Sequence, residues 1–300
     1  MEFSRRRKKN IGKLWTIEDV QLLTDYIVRD MIVYDELTKV FPNRSLQAIR
    51  NKIRKIRLSE SLFGSSYKDA KQVFTLSIAK DLRPDSVFEA YAGTGFQSIK
   101  WSKYARKVFC SERVFKKCEG FRNEIIDNGY KEFISQNSMW KRYSKNGHRI
   151  WYANVDAIKA ATAISYEFGK IDLLDLDTCG TTLPTLPTFL SLLSPKYVVI
   201  THGEFHSLRF KREDVLRRVL NHLGIDKPIL PMTNSELCDA LDKSVKLYAL
   251  RSHNETTKSF WLELVKEKWL GAKGRGMLRR VYKVTRPQST ADCLNELING

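Results

Sequence analysis

The sequence contains no apolar run near the roughly 18 consecutive residues that a membrane-spanning helix needs. Cysteine is scarce, with five in 300 residues, and no two of them stand in a CxxC pair. An odd number of thiols without such pairs argues against a disulfide framework and against a structural zinc site. The pattern favours an intracellular protein with reduced thiols at Cys110, Cys118, Cys179, Cys238 and Cys293.

Acidic residues are also in short supply. Asp and Glu number 34 against 52 Lys and Arg, which leaves a net charge of +18 and a pI near 9.7. A surplus of this size attracts polyanions and predicts a nucleic-acid partner. The apolar fraction of 42% and the charged fraction of 29% exclude a mainly disordered or fibrous chain. The length suits one sizeable domain and one small domain.

The N-terminal run Met1–Asn10 is basic and has no apolar segment behind it, so it does not have the pattern of a secretory signal. It fits a nuclear address, a tail that grips nucleic acid, or a solvated end, and the sequence leaves these alternatives open. We expect an intracellular protein that is cytoplasmic or, in a eukaryote, nuclear, with no membrane partner.

The segment Lys13–Leu58 predicts three short helices. Thr16 is suited to cap the first helix, Tyr34–Val40 forms the second, and Ser45 caps the third. The third helix is strongly basic, because the stretch Arg44–Arg57 holds six basic residues and no acidic one.

This segment resembles a Myb/SANT-type helix-turn-helix in its WTxED opening, its FPNRS turn and its AIRNKIRKIRL helix. The resemblance implies a third helix that lies in a major groove and neutralises phosphates, so DNA is the expected partner ahead of RNA. A solvated face of a helical bundle and a protein-binding surface are the alternatives. The residues expected at phosphates are Arg44, Arg50, Lys52, Arg54 and Arg57.

The stretch Ser86–Glu112 reads as strand, glycine turn, helix, strand and acid. The first apolar run, Val87–Tyr91, bears the carboxylate of Glu89 and leads into Gly93-Thr94-Gly95. A second apolar run, Lys107–Cys110, precedes another acid. Glycine is needed where the backbone turns tightly against a ligand, and the acid is placed to accept ribose hydroxyls.

This unit resembles motif I of class I S-adenosylmethionine-dependent methyltransferases, whose turn has the form D/E-x-F/Y-x-G-x-G. NAD-binding proteins are the alternative, but their usual GxGxxG is interrupted here by Ser98. The resemblance implies S-adenosylmethionine as cofactor, and it implies that Asp156 hydrogen-bonds the adenine amino group, besides suiting a helix N-cap. The expected cofactor set is Glu89, Tyr91, Gly93, Gly95, Glu112, Asp156 and, as a supporting carboxylate, Asp175.

The segment from Ile171 to Glu204 is similar to the corresponding part of the N2,N2-dimethylguanosine tRNA methyltransferases. A strand leads into Asp177-Thr178-Cys179-Gly180, where that family has a DPFG-type loop. The replacement of Pro-Phe by Thr-Cys leaves the methyl acceptor open.

Three side chains near this loop are candidates for catalysis. Asp177 is expected to orient the acceptor or act as a weak general base. Cys179 is either a thiolate nucleophile of the kind used to methylate C5 of a pyrimidine or a small half-buried thiol. His202 is expected to line the acceptor pocket or to cap a helix. The THGEFH segment lacks the HExxH order, so no metal is expected.

The C-terminal part predicts an antiparallel hairpin formed by SFWLELVKEKWL and MLRRVYKVT around a glycine-rich tip. Lys273 and Arg275 in the tip are placed to clamp phosphates.

These patterns predict an α/β fold with a mostly parallel Rossmann-like sheet and a C-terminal antiparallel hairpin, preceded by a three-helix domain. Residues 1–60 form the basic tail and helix-turn-helix, 61–83 a helical connector, and 84–300 the methyltransferase domain. The predicted activity is methyl transfer from S-adenosylmethionine to nucleic acid, with DNA as the first acceptor. The alternatives are a tRNA or RNA base methyltransferase and a DNA-binding regulator with a silent methyltransferase fold.

Overall fold

The computed structural model describes residues 15–28, 33–53, 65–133, 138–178, 180–209, 211–223, 232–252, 259–270, 277–286 and 289–299. The chain falls into two compact units, Met1–Lys68 and Asp69–Gly300. No helix in the described ranges is both long and apolar enough to span a bilayer.

The first unit contains the helices α1 (Ile17–Val28), α2 (Tyr34–Val40) and α3, which is described over 46–53. Thr16 begins α1 by accepting a hydrogen bond from the Asp19 backbone N–H at 3.1 Å, and the Asp19 carboxylate accepts one in return. Its core consists of Leu23, Leu37, Phe41, Ile49 and Ile53, with Trp15 packed edge-on against Phe41. The likeness of this unit to Myb/SANT domains stays a prediction.

The second unit is built on one nine-stranded mixed sheet with the order β3-β4-β5-β2-β1-β6-β7-β9-β8. Its central five strands are parallel, and an antiparallel pair extends each edge. The strands are β1 (Ser86–Glu89), β2 (Lys107–Ser111), β3 (Lys131–Phe133), β4 (Lys141–Lys145), β5 (His148–Ala153), β6 (Leu173–Asp177), β7 (Tyr197–His202), β8 (Trp261–Leu270) and β9 (Met277–Thr285).

The helices of this unit connect and cover the strands. They are α4 (Ser65–Leu82, which begins in the first unit), α5 (Phe96–Trp101), α6 (Phe115–Asp127), α7 (Ala157–Glu167), α8 (Leu186–Leu193), α9 (Glu204–Arg209), α10 (Glu213–Leu220), α11 (Asn234–Leu250) and α12 (Thr290–Asn299). Leu183–Thr185 and Asn221–Leu223 form short 3₁₀ turns.

The main apolar core lies between the central strands and the helices α7, α8, α10 and α11. The parallel strands are almost continuously apolar because helices on both faces of such a sheet keep them from water. Three of the four buried residues of α7 are alanines, which lets the helix approach the sheet closely; the four are Ala157, Ala160, Ala161 and Ile164.

The predicted α/β fold with a mixed sheet is confirmed, with differences at its edges. Residues 129–147 contribute β3 and β4, which extend the sheet beyond β5. The first strand ends at Glu89 and not at Tyr91, because the chain turns toward the glycines there. The helix α11 runs for 17 residues and begins with a capping box at Thr233.

Candidate cofactor and acceptor site

The predicted site residues gather at the edge of the sheet where the parallel strands end. Glu89, Asp177 and Thr201 lie at or near the carboxyl ends of β1, β6 and β7. Glu112 follows β2 directly, and Asp156 follows β5. In an open parallel sheet this edge is where ligands bind, because the strand-to-helix loops open there.

The turn after β1 needs glycine at two positions for two different reasons. Both glycines have positive φ, +55° at Gly93 and +85° at Gly95. A Cβ added at Gly95 would lie 2.9 Å from Cδ2 of Phe121, so this position is also closed by packing. A Cβ at Gly93 would meet no atom within 4 Å. The backbone at Gly93 therefore faces open space that a ligand can fill.

Glu112 ties the glycine turn to the end of β2. One carboxylate oxygen accepts a hydrogen bond from the Gly93 N–H at 3.1 Å, and the other accepts from the Val114 N–H at 2.8 Å. The ammonium of Lys117 lies 3.6 Å from the carboxylate. Since a carboxylate accepts about four hydrogen bonds, Glu112 keeps acceptor capacity for hydroxyl groups of a ligand.

Asp156 caps α7, as its alternative role predicts. Its Oδ1 accepts a hydrogen bond from the Ile158 N–H at 2.9 Å, and the residue is exposed. Beside it, Asn154 donates a side-chain hydrogen bond to the Glu112 carbonyl at 2.6 Å. The ends of β2 and β5 are thus held together next to the glycine turn.

Tyr91 lies between the end of β1 and the glycine turn. It is half-buried, and its ring packs against the main apolar core. Burial raises the pKa of the tyrosine above its ordinary value.

Glu89 is buried rather than facing solvent. Its carboxylate accepts a hydrogen bond from the hydroxyl of Ser98 on α5. Burial and the nearby Asp175 raise the pKa of Glu89 well above its usual value. Glu89 therefore holds the start of α5 through Ser98.

Asp175 does not contact the cofactor space that the sequence assigned to it. The residue is fully buried, and one carboxylate oxygen accepts hydrogen bonds from the indole of Trp101 and the guanidinium of Arg279, each at 2.7 Å. Its position in the middle of β6 explains the difference, because the side chain points into the layer between sheet and helices. Asp175 is a structural carboxylate.

Asp177, at the end of β6, is held by two cations. The Lys71 ammonium donates to both carboxylate oxygens, at 2.8 and 2.9 Å, and Arg279 lies 3.6 Å away. Burial opposes ionisation, but Lys71 and Arg279 outweigh it and hold the pKa of Asp177 below its usual value. Asp177 is therefore an anion at neutral pH.

We expect Lys71→Met to lower the free energy of unfolding by about 1–2 kcal/mol at pH 7, because Asp177 loses its nearest partner. The folded pKa of Asp177 lies below its ordinary value, so the stability it contributes is lost as the pH falls through the folded pKa. The difference in free energy of unfolding between wild type and Lys71→Met should therefore become smaller in acid. Urea unfolding of both proteins at several pH values measures this difference, and Lys71→Arg, which keeps the charge, is the control.

His202 is not part of an open acceptor pocket. Its ring is fully buried, and within the described ranges neither ring nitrogen has a hydrogen-bond partner. The carboxylate of Glu204, itself buried, lies 3.6 Å from Nδ1. The sequence placed His202 at a ligand-facing strand end, and the structure shows it at that end of β7 with its side chain buried.

Cys179, the other catalytic candidate, lies outside the described residues. Around it, Thr178 donates a hydrogen bond to the Gly180 carbonyl at 2.9 Å. Among the described residues no group of three or more histidines, cysteines and carboxylates is placed to hold a metal ion.

The residues predicted to bind nucleic acid in the first unit divide into two kinds. Arg44 is turned inward, where its guanidinium bonds Asp19 at 3.0 Å and lies over the Trp15 ring, so the structure does not present it to phosphates. Arg50 is exposed, and Lys52 is half-buried. Arg54, Arg57, Lys273 and Arg275 lie outside the described residues.

Sequence reasoning missed the cations that hold the acids. Arg279 stands next to Arg280 in a strand that also contains Lys283, so its local pattern is that of a solvated basic stretch. Lys71 lies on a helix, where a lysine is ordinarily solvated. Asn154 and Trp101 also became visible only from the structure.

The site geometry can now be compared with known proteins. No model of a protein family matches the chain, and no curated protein matches it in sequence. Trm1 from Pyrococcus horikoshii, solved with S-adenosyl-L-methionine, is similar in structure, with a TM-score of 0.57 and 16% identity over 77% of this chain and 57% of that one. The α/β unit has a methyltransferase fold.

Two further solved methyltransferase-fold structures are less similar. The O-methyltransferase TomG from Streptomyces achromogenes, in complex with S-adenosylmethionine, has a TM-score of 0.44 and 13% identity over 71% of this chain and 79% of that one. Trm5b from Pyrococcus abyssi has a TM-score of 0.37 and 13% identity over 71% of this chain and 48% of that one. The present chain thus spans less than two thirds of Trm1 and of Trm5b.

Proposed function

We propose that this protein is an S-adenosylmethionine-dependent methyltransferase that acts on RNA, with tRNA as the first acceptor class to test. The observation that carries the proposal is the glycine turn, where the open side of Gly93 and the carboxylate of Glu112 lie together at the carboxyl edge of a methyltransferase-fold sheet.

The residues present fit the cofactor. Gly93 leaves the space that a ligand would fill, and Glu112 is placed to accept the ribose hydroxyls. Asp156 uses one oxygen to cap α7 and keeps the other for the amino group of an adenine. S-adenosylmethionine, when bound, supplies a methyl group on a sulfonium that is already reactive. What the chain contributes is the placement of donor and acceptor.

On the acceptor side, Asp177 is the side chain we assign to orienting the substrate. Lys71 and Arg279 keep it ionised, and it ends β6 just before the loop that the family resemblance assigns to the acceptor. Lys71 uses one donor direction to each oxygen, so lone pairs stay for a substrate N–H or O–H. His202 is buried, and we assign it no role in orienting the substrate.

RNA is a better candidate than DNA. Trm1, a tRNA methyltransferase, is a structural neighbour with a TM-score of 0.57. The segment that leads into Asp177 resembles that of the guanosine N2 tRNA enzymes, with Thr178-Cys179 in place of their Pro-Phe. The net charge of +18 suits either nucleic acid. The first unit, with Arg50 on its surface, is proposed as a docking head whose Myb/SANT likeness is tested by truncation of residues 1–60.

Cofactor binding is tested first by calorimetric titration of the full chain with S-adenosylmethionine. We expect saturable binding, and we expect Glu112→Ala to weaken it at least tenfold, since hydrogen bonds to a charged group contribute about 1.5–3 kcal/mol each. Glu119→Ala, which removes an exposed carboxylate on α6, is the matched control. No binding by the folded wild-type protein would refute the proposal.

The acceptor is tested by transfer of a radiolabelled methyl group to tRNA, to unstructured RNA and to duplex DNA. We expect labelling of tRNA above the other two. For Asp177→Asn we expect at least a tenfold lower turnover with unchanged cofactor affinity, because the variant keeps the shape and loses the charge. Labelling of duplex DNA alone would contradict the RNA assignment, and cofactor binding without any transfer would indicate a silent methyltransferase fold.

A further inference from the structure

A row of side chains crosses four neighbouring strands at the β3 edge of the sheet. In the strand register Phe109 on β2 pairs with Trp151 on β5, Trp151 pairs with Arg142 on β4, and Arg142 pairs with Phe133 on β3. Register partners point to the same face of a sheet. The row is buried at Phe109 and Trp151 and comes into solvent at Arg142 and Phe133, which is 44% exposed.

Two more aromatic rings close around this row. Phe168, directly after α7, lies 4.7 Å from Phe109 and 5.8 Å from Trp151 between ring centroids. Trp140, just before β4, lies 5.9 Å from Phe109 and 6.4 Å from Phe168. The outer part of the row is an aromatic wall that reaches solvent at Phe168, which is 38% exposed, and at Phe133.

A cavity of about 380 Å³ opens at this wall. Its volume is within the range of small-molecule sites. The indole N–H of Trp140, in a residue that is 4% exposed, has no hydrogen-bond partner in the described part of the chain. Arg142 lies over the Phe133 ring at 4.9 Å. The lining residues are Phe133, Ser138, Trp140, Arg142, Trp151, Glu167 and Phe168.

A second cavity of about 320 Å³ shares Phe168 with the first and is basic. Four cations and two carboxylates line it. Arg106 pairs with Asp85, and Lys196 pairs with Asp172 at 2.8 Å. The other two cations are Lys107 and Lys170. Both are exposed, and neither has a carboxylate partner among the described residues.

The basic cavity is remote from the glycine turn. Its residues lie at the amino ends of β1, β2, β6 and β7, whereas Gly93, Glu112 and Asp177 lie at the carboxyl ends of the same strands. Strands of four to six residues span about 13–20 Å, so this surface is distinct from the cofactor and acceptor site.

We propose that the two cavities together bind a single-stranded segment of RNA, with one unstacked base in the aromatic cavity and the flanking phosphates at Lys107 and Lys170. An unpartnered N–H and aromatic walls suit a flat ring with polar edges, and base stacking on aromatic side chains needs no particular sequence. The neighbouring surplus of positive charge suits phosphate rather than an aromatic peptide or a lipid chain. This inference rests on the proposed function, because it names where the RNA substrate is held.

The experiment measures binding of a fluorescent single-stranded RNA by the full chain over a series of salt concentrations. We expect Phe133→Ala to weaken binding about tenfold, as loss of one stacked base does. We expect Lys107→Glu with Lys170→Glu to flatten the slope of log K against log salt by about 1.4, which corresponds to two phosphates on a single strand. The charge-matched control is the double variant Lys80→Glu with Lys243→Glu, because neither lysine lines a cavity.

Trp140→Phe tests the indole N–H. It keeps an aromatic ring and removes the N–H, which bonds nothing in the described part of the chain, so we expect RNA affinity to fall about threefold. Because Trp140 belongs to the main core, the smaller ring is also expected to lower the unfolding midpoint, and RNA affinity is therefore measured where the variant is folded. Unchanged RNA affinity would overturn the part of Trp140 in the site.

The outcomes also distinguish this inference from the proposed function. If no acceptor is methylated but Phe133→Ala and the lysine pair weaken RNA binding, the RNA site holds and the catalytic assignment fails. If tRNA is methylated by these variants with unchanged KM and their RNA affinity equals that of wild type, the RNA site is wrong. An equal loss of duplex DNA binding in Phe133→Ala would also refute it, because a paired base cannot enter the cavity.

Discussion

Replacing Arg279 with methionine is expected to lower the free energy of unfolding of the α/β unit by about 3–5 kcal/mol, the cost of leaving a buried charge without its partner. Arg279 is fully buried and bonds Asp175 at 2.7 Å and the Thr201 hydroxyl at 2.9 Å. Asp175 is also fully buried, and burial raises its pKa even with Arg279 present. Methionine fills much of the same volume and removes the charge.

The matched control is the double variant Arg279→Met with Asp175→Asn. Asparagine keeps an acceptor for the Trp101 indole and removes the anion, so we expect the double variant to recover a large part of the loss. Thermal unfolding of the single variant should shift down by about 10 °C, given about 2–4 °C per kcal/mol for a unit of this size. A single variant as stable as wild type would show that water or another group compensates Asp175.

Alanine at Gly93 and at Gly95 is expected to separate ligand binding from folding. Gly95→Ala combines a φ of +85° with a Cβ 2.9 Å from the Phe121 ring, which stacks on Tyr152 at 4.1 Å and has no room to move. We expect a loss of stability of about 2–4 kcal/mol from strain and overpacking together.

Gly93→Ala has the same kind of backbone strain, with a φ of +55°, but its Cβ meets no atom of the protein within 4 Å. We expect a stability loss of only about 1–2 kcal/mol. The methyl group projects into the space assigned to the cofactor, so S-adenosylmethionine affinity should fall more than tenfold in calorimetric titration. Each variant is the other's control. If Gly93→Ala bound the cofactor as wild type does, the ligand would not occupy the open side of the turn.

His202 and Glu204 show that a position at a strand end does not by itself expose a side chain to a ligand. His202 is the last residue of β7 and Glu204 the first of α9, at the edge where ligands bind in a parallel sheet, yet both side chains are buried. Arg44 in the first unit is a similar case. Its position in a basic stretch predicts a phosphate contact, but its side chain bonds Asp19.

The amino-acid sequence by itself determined the features that depend on neighbours along the chain. Gly93 and Gly95 lie in the turn between β1 and α5, Glu112 follows β2, and Asp156 caps the helix that begins at the next residue. Turns, caps and apolar strands each depend on a few residues that are close together in the sequence. Their pattern therefore predicted the methyltransferase fold and the positions of the candidate cofactor residues along the chain.

Only the tertiary structure decided which charges are buried and what holds them. Arg279 and Asp175 are 104 residues apart, and Lys71 and Asp177 are 106 apart. The aromatic row from Phe109 to Phe133 likewise depends on the register of four strands. Contacts between residues so far apart in the sequence depend on the order and register of the strands in the sheet. A charge buried against a distant partner therefore has the same local sequence pattern as a charge in water.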